Sequence, residues 1–169
     1  MADTQRIQSF RDVLTEFGPA VRRLCAGYER NEASRLDLEQ DIFLNLWKAL
    51  PRYRGDASLR TWVYRIAHNV ASRHVRQAMR APTSRGADER IDTRISDGAR
   101  PDEAVSQADA RSKLRVCIQQ LRPLDRQIIM LFLEDIPQTE IGQITGLTQA
   151  NISTRVHRIK GELTRMMST

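Results

Sequence analysis

Apolar residues recur along this chain at intervals of three and four, the period of an α-helix with one buried face. From Ile7 to about Tyr28, Phe10, Val13, Leu14, Phe17, Val21, Leu24 and Cys25 describe such a face, and Gly18-Pro19 is expected to interrupt or bend the helix. A second helix is predicted from Asp37 to Leu50, with Leu38, Ile42, Leu46 and Leu50 inward. Pro51 ends it, because the residue before a proline avoids the helical region. A third helix opens at Ser58, a suitable N-cap, and runs to about Met79 with Leu59, Val63, Ile66, Ala67 and Val70 on one side. Strand-type alternation is absent, so the predicted class is all-α.

Periodicity stops over 81–103. Ala81-Pro82-Thr83-Ser84-Arg85-Gly86 opens that stretch and Asp97-Gly98-Ala99-Arg100-Pro101 closes it. It reads as a flexible acidic linker between two small helical domains, 1–80 and 104–169. A tether of this length spans roughly 25–30 Å as a random coil. It cannot fix the distance between its ends, so a third body is expected to set the spacing.

Beyond the linker, helices are predicted at about 104–121, 124–134, 138–145 and 149–166. Gly146 suits the left-handed residue after a helix and Thr148 suits the next N-cap, so the last two form a helix-turn-helix candidate. Gly142 is expected to let two helices pack closely. Ile152, Val156, Ile159, Leu163 and Met166 make a narrow buried stripe, and Asn151, Thr154, Arg155, His157 and Arg158 lie away from it. Amide and guanidinium groups in the N-terminal half of such a helix suit base edges and phosphates in a major groove.

Charge changes the picture by its placement. The 169 residues carry 27 Lys and Arg against 21 Asp and Glu, a net +6 with a pI near 10.0. Between Arg52 and Arg80 every charged residue is an arginine except Asp56, and a second excess lies after Leu147. Two basic sites on one chain point to a polyanionic partner. In the first, Arg54-Gly55-Asp56-Ala57-Ser58 forms a loop leading into Trp62, Arg65, Asn69, Ser72, Arg73 and Arg76 on one side of the third helix. Arginine, amide and aromatic groups beside such a loop suit phosphates and unstacked bases. Asp37, Gln40, Asp41 and Leu44 form an acidic stripe on the second helix. Such a stripe takes a basic protein partner or is only a solvated helix start.

Cys25 and Cys117 are read as core thiols in a reducing cytoplasm. No metal-ligand spacing, phosphate-cradling glycine loop or acid–nucleophile set occurs, so no cofactor and no enzymatic activity are expected. His68, His74 and His157 are expected at DNA-proximal or surface positions. Without an apolar leader or a membrane-length apolar run, the chain is expected to be soluble and intracellular.

Three stretches then resemble the extracytoplasmic function (ECF) class of bacterial RNA polymerase sigma factors, within the sigma-70 family. They are Asp37 to Phe43, Tyr53 to Asn69, and Glu140-Ile141-Gly142 through Arg155-Val156-His157-Arg158. The resemblance implies a region 2-like domain, the linker, and a region 4-like domain. It implies that Asp37, Gln40, Asp41 and Leu44 dock on the β′ clamp helices of core polymerase, with the β flap a further contact. Arg54, Gly55, Asp56, Ser58, Trp62, Arg65, Asn69, Arg73 and Arg76 would meet the −10 element. Gln149, Asn151, Thr154, Arg155, His157 and Arg158 would meet the −35 element. Promoter DNA and an anti-sigma factor are the further implied partners, and the polymerase becomes the third body. Pro137, Gly142, Ser153, Asn151 and Glu39 depart from the usual pattern. On the residues alone, a stand-alone helix-turn-helix regulator is the alternative, as is a helical adaptor for acidic proteins.

Overall fold

A computed structural model describes residues 2–80 and 101–168, with side chains from residue 9 in the first helix and from residue 106 in the fourth. Among the described residues there are seven α-helices, one 3₁₀ turn and no strand. The helices are α1 (Ala2–Tyr28), α2 (Glu32–Ala49), α3 (Leu59–Arg80), α4 (Pro101–Gln120), α5 (Pro123–Leu133), α6 (Gln138–Thr145) and α7 (Gln149–Ser168), with the 3₁₀ turn at Leu50–Arg52. The all-α class is as the periodicity predicted. The expected linker lies outside the described residues except for 101–103, which begin α4.

Two helix boundaries differ from expectation. α1 is not interrupted: Pro19 sits inside it. Proline removes one backbone hydrogen bond, but Val13, Phe17, Ala20, Val21 and Leu24 are buried on both sides of it. Each large aliphatic side chain so buried contributes ~1.5–3 kcal/mol, enough to carry the helix through. α2 starts at Glu32, five residues before the first predicted position. Asn31 caps it, its side chain accepting the Ser34 N–H at 3.0 Å, and Glu32 lies in the first turn where an acid is favoured. Glu32 and Ala33 in that turn are exposed, as Leu36 also is, and none of its residues is buried, so apolar period carried no sign of it.

In the N-terminal half, α1, α2 and α3 bury Phe17, Val21, Leu24, Leu38, Ile42, Leu46, Val63, Ala67 and Val70 together. Leu59 and Ile66, expected inside, are only partly buried at the margin. In the C-terminal half, Ile128, Leu131, Ile141, Ile152 and Ile159 form the centre. Cys25 and Cys117 are free and buried, and burial pushes the Cys25 thiol up to about 12.

The halves also pack on each other, which the tether argument did not anticipate. Gly27 of α1 lies under the Met130 side chain so closely that a Cβ would stand 2.4 Å from Cε. Gln119 Nε2 donates to the Ala26 carbonyl at 2.9 Å, and Arg30 Nε donates to Gln119 Oε1 at 2.8 Å. Arg23 forms a two-pronged pair with Glu134, both contacts at 2.6 Å. Direct contacts thus set the spacing here. The side chains involved are mostly polar and belong to no apolar stripe, so no period marks them.

Candidate nucleic-acid interface

The loop before α3 is held from inside. Tyr53 donates its hydroxyl to the Ala57 carbonyl at 2.8 Å, and its ring lies 5.1 Å from that of Trp62. Gly55 turns the chain at φ 80, a left-handed conformation that a side chain resists. Ser58 Oγ accepts the Thr61 N–H at 3.1 Å, the N-cap expected from sequence. Arg54, Gly55, Asp56 and Ser58 are exposed on this loop, and Trp62 is half-buried behind it.

Along α3, Arg65, Asn69, Arg73 and Arg76 are exposed on the side away from Val63, Ala67 and Val70. Ser72, which shares their spacing, is half-buried. His68 corrects the surface expectation. It is 1% exposed, with Nδ1 2.9 Å from the Tyr28 hydroxyl. Burial lowers its pKa to about 3 and raises that of Tyr28 to about 12, so both are neutral and form part of the core. His74, half-buried, has Nε2 3.2 Å from Glu29 Oε2.

Residues given no role from sequence meet this face. Glu140 of α6 contacts Ser58, Arg60 and Thr61, and Arg65 Nη2 donates to the Gln143 carbonyl at 3.0 Å. Thr61 is 1% exposed. A threonine at a polar helix start gives no apolar signal, and Glu140, though it opens the third matching stretch, was given no role there.

The second face rests on the turn between α6 and α7. Gly146 has φ 78 and donates its N–H to the Gly142 carbonyl at 2.8 Å. Thr148 Oγ1 accepts the Asn151 N–H at 3.3 Å, and Pro137 begins α6 with no side-chain cap. Gly142 does make room, but for the turn rather than a helix: a Cβ there would lie 2.7 Å from the Leu147 carbonyl oxygen. Gln149, Asn151, Thr154 and His157 are exposed, while Ile152, Val156, Ile159 and Leu163 are buried. Arg155 and Arg158 share one partner. Arg155 Nη1 donates to Asp125 Oδ1 at 2.9 Å and Arg158 Nη2 to Oδ2 at 2.7 Å. Asp125 is 3% exposed, an acid inside a basic face that no apolar period marks.

On α2, Asp37, Gln40, Asp41 and Leu44 are all exposed, opposite the buried Leu38, Ile42 and Leu46. Leu36 and Leu44 are among the exposed large hydrophobics, so the stripe combines acids with an apolar margin. Such a surface suits a basic protein with an apolar ridge. Among the described residues, no group of three His, Cys, Asp or Glu could hold a metal ion, and no helix is long and apolar enough to cross a membrane.

Residues 13–81 match the sigma-70 region 2 family and residues 111–163 match sigma-70 region 4. The RNA polymerase sigma factor YlaC of Bacillus subtilis is 27% identical over 78% of this chain and 76% of its own length. The ECF RNA polymerase sigma factor SigW of the same organism is 23% identical over 94% of this chain and 89% of its own. Among solved structures, the sigma factor RpoE in complex with the anti-sigma factor NepR from Bartonella quintana shares the fold with a TM-score of 0.73, covering 96% of this chain and 98% of that one at 17% identity. CnrH in complex with the cytosolic domain of CnrY gives 0.68 at 20% identity, covering 95% and 88%. Matches to both regions define a protein of transcription initiation. The chain belongs to the sigma-70 family and is an RNA polymerase sigma factor of the ECF class.

Proposed function

We propose that this sigma factor recruits core polymerase through α2, opens promoter DNA at the −10 element with the loop and α3, and reads the −35 element with α7. The observation that carries the reading is the loop 53–58. It is pinned by Tyr53 and Trp62 and leads directly into the exposed Arg65, Asn69, Arg73 and Arg76. Arg54, Gly55, Asp56 and Ser58 would surround an extruded base, and the α3 arginines would hold phosphates. On α7, Gln149, Asn151, Thr154, Arg155, His157 and Arg158 meet duplex DNA. Asp37, Gln40, Asp41 and Leu44 take the β′ clamp helices, and the β flap is a further contact. Binding energy alone does this work, with no covalent step, in the cytoplasm where polymerase and DNA are found. An anti-sigma factor is the expected antagonist.

Purified protein added to bacterial core polymerase should give run-off transcripts from genomic fragments that core alone leaves silent. Asp41→Arg should weaken assembly with core while the helical circular dichroism stays unchanged. Absence of any sigma-dependent transcript would overturn the reading, and tight duplex binding without core would favour the stand-alone regulator.

A further inference from the structure

The start of α3 is already occupied, and its occupant is an anion from the other half of the chain. Glu140 Oε1 lies 3.2 Å from Ser58 Oγ, accepts the Thr61 hydroxyl at 2.5 Å, and accepts Arg60 Nε at 3.2 Å. Its other oxygen accepts Arg60 Nη2 at 2.5 Å. Ser58, Arg60 and Thr61 are the cap and first turn of α3, where unpaired backbone N–H groups and the macrodipole favour negative charge. The Glu140 side chain is only 13% exposed, and its carboxyl is held below the usual carboxylate range, first by the Arg60 hydrogen bond. One turn further on, Arg65 donates to the carbonyl of Gln143, in the last turn of α6 where carbonyls lack helical partners. Charge and dipole are thus matched at both ends of the contact.

These donors overlap the face assigned to the −10 element. Ser58 and Arg65 belong to that set, and Asp56 and Asn69 flank them along the same surface. A phosphate and a carboxylate ask the same of a helix start: an arginine, hydroxyls and backbone N–H groups. We propose that the first turn of α3 is one anion seat with two mutually exclusive occupants, Glu140 of the same chain and the phosphate backbone of the opened promoter strand. In the free protein the seat is taken by α6, so the face that binds single-stranded DNA is engaged by the helix-turn-helix at Ser58 and Arg65 while its other residues stay exposed. Binding that strand requires the halves to separate at this contact, and core polymerase, by holding each half in its place, keeps the seat free.

The proposal rests on the assignment of α3 to the −10 element, and the test separates the two. Glu140→Arg places two cations face to face, and Arg60→Glu with Glu140→Arg restores the pair in reverse. Glu140 lies outside the DNA-contacting set, and Arg60, the seat's own arginine, is changed only to read whether the reversed pair closes the halves again. Small-angle scattering of the free full-length proteins should show Glu140→Arg expanded relative to the native chain and the double variant compact again, with unchanged circular dichroism. Fluorescein-labelled single-stranded DNA of randomised sequence should bind free Glu140→Arg about tenfold more tightly than free native protein, as expected when a closed form limits apparent affinity. A compact Glu140→Arg overturns the proposal. So does an expanded one with no gain on this DNA when native holoenzyme does bind it. If native holoenzyme also fails to bind the single strand, the assignment of α3 itself falls.

Discussion

The two basic faces are built alike and restrained differently. On α7, Arg155 and Arg158 are tied to Asp125, which lies two helices earlier in the same half. On α3, Ser58, Arg60, Thr61 and Arg65 are tied to Glu140 and Gln143, which belong to the other half. An acid inside the half can stay in place while DNA binds, orienting the arginines. An acid from the other half would have to leave if that face takes DNA. On the proposed DNA-binding roles, the same chemistry would serve as alignment in one place and as closure in the other.

Acidification should affect the α3 side most strongly. His68 is buried against Tyr28 and its pKa falls from 6.5 to about 3. The unfolded chain accepts a proton near pH 6.5 that the folded chain refuses until about pH 3. Stability from this group is therefore complete above 6.5 and declines as pH falls through that window, by about 1.4 kcal/mol per pH unit at most. Glu140 acts in the same sense: its carboxyl is depressed, so its contact with α3 persists above the ordinary carboxylate value and is lost as pH falls through the depressed one. Thermal melts between pH 4 and 8 should show this decline, and His68→Gln should flatten it. A native melting temperature constant from pH 8 to 5 would contradict the neutral buried histidine.

How much of this was legible in the chain depends on which signal each residue carries. Ile152, Val156, Ile159 and Leu163 announced the inner side of α7 because burial repeats with the helical turn. Gly146 and Thr148 announced the turn by backbone chemistry, and both do as expected. The contacts of Glu140 with α3 and of Asp125 with α7 were not legible. Each joins residues far apart in sequence, through polar groups that also occur on any solvated helix. His68 misled because its neighbours His74 and Arg73 are polar, yet its own position falls beside Tyr64 and Ala67 on the inner side. The exposed positions of α2 were legible, while the choice between partner surface and bare helix came only from family resemblance.

Removing single polar groups distinguishes the two faces next. Asn69→Ala should slow promoter opening by the ~1–3 kcal/mol typical of one good amide-to-base contact, with core affinity within about twofold. Opening followed by fluorescence of a base analogue, beside a core titration, checks this. Equal loss in both assays would remove Asn69 from the strand-capturing face. Asp125→Ala should cost somewhat less, about 1–2 kcal/mol of folding stability, because Arg155 and Arg158 are partly exposed and can return to water. Discrimination between −35 sequences should weaken more than overall DNA affinity does. A uniform loss across all sequences would make Asp125 a stability residue only.

The smallest effects come from a matched pair of glycines. Gly55 and Gly146 have nearly the same backbone angle, φ 80 and φ 78, and an added Cβ at either meets open space. Alanine at each therefore costs about 1 kcal/mol of backbone strain and nothing in packing. Where that cost appears should differ. Gly146 lies in the turn that sets α6 against α7, so Gly146→Ala should lower the melting temperature by a few degrees. Gly55 is exposed in the middle of a loop that Tyr53 and Trp62 pin at its ends, so strain there can be released locally. Gly55→Ala should leave the melt almost unchanged and slow promoter opening instead, because the loop relaxes away from its native shape rather than unfolding the helices beside it. If both variants lowered the melt equally, the loop before α3 would be part of the folded core, and its separate role in capturing a base would lose its physical basis.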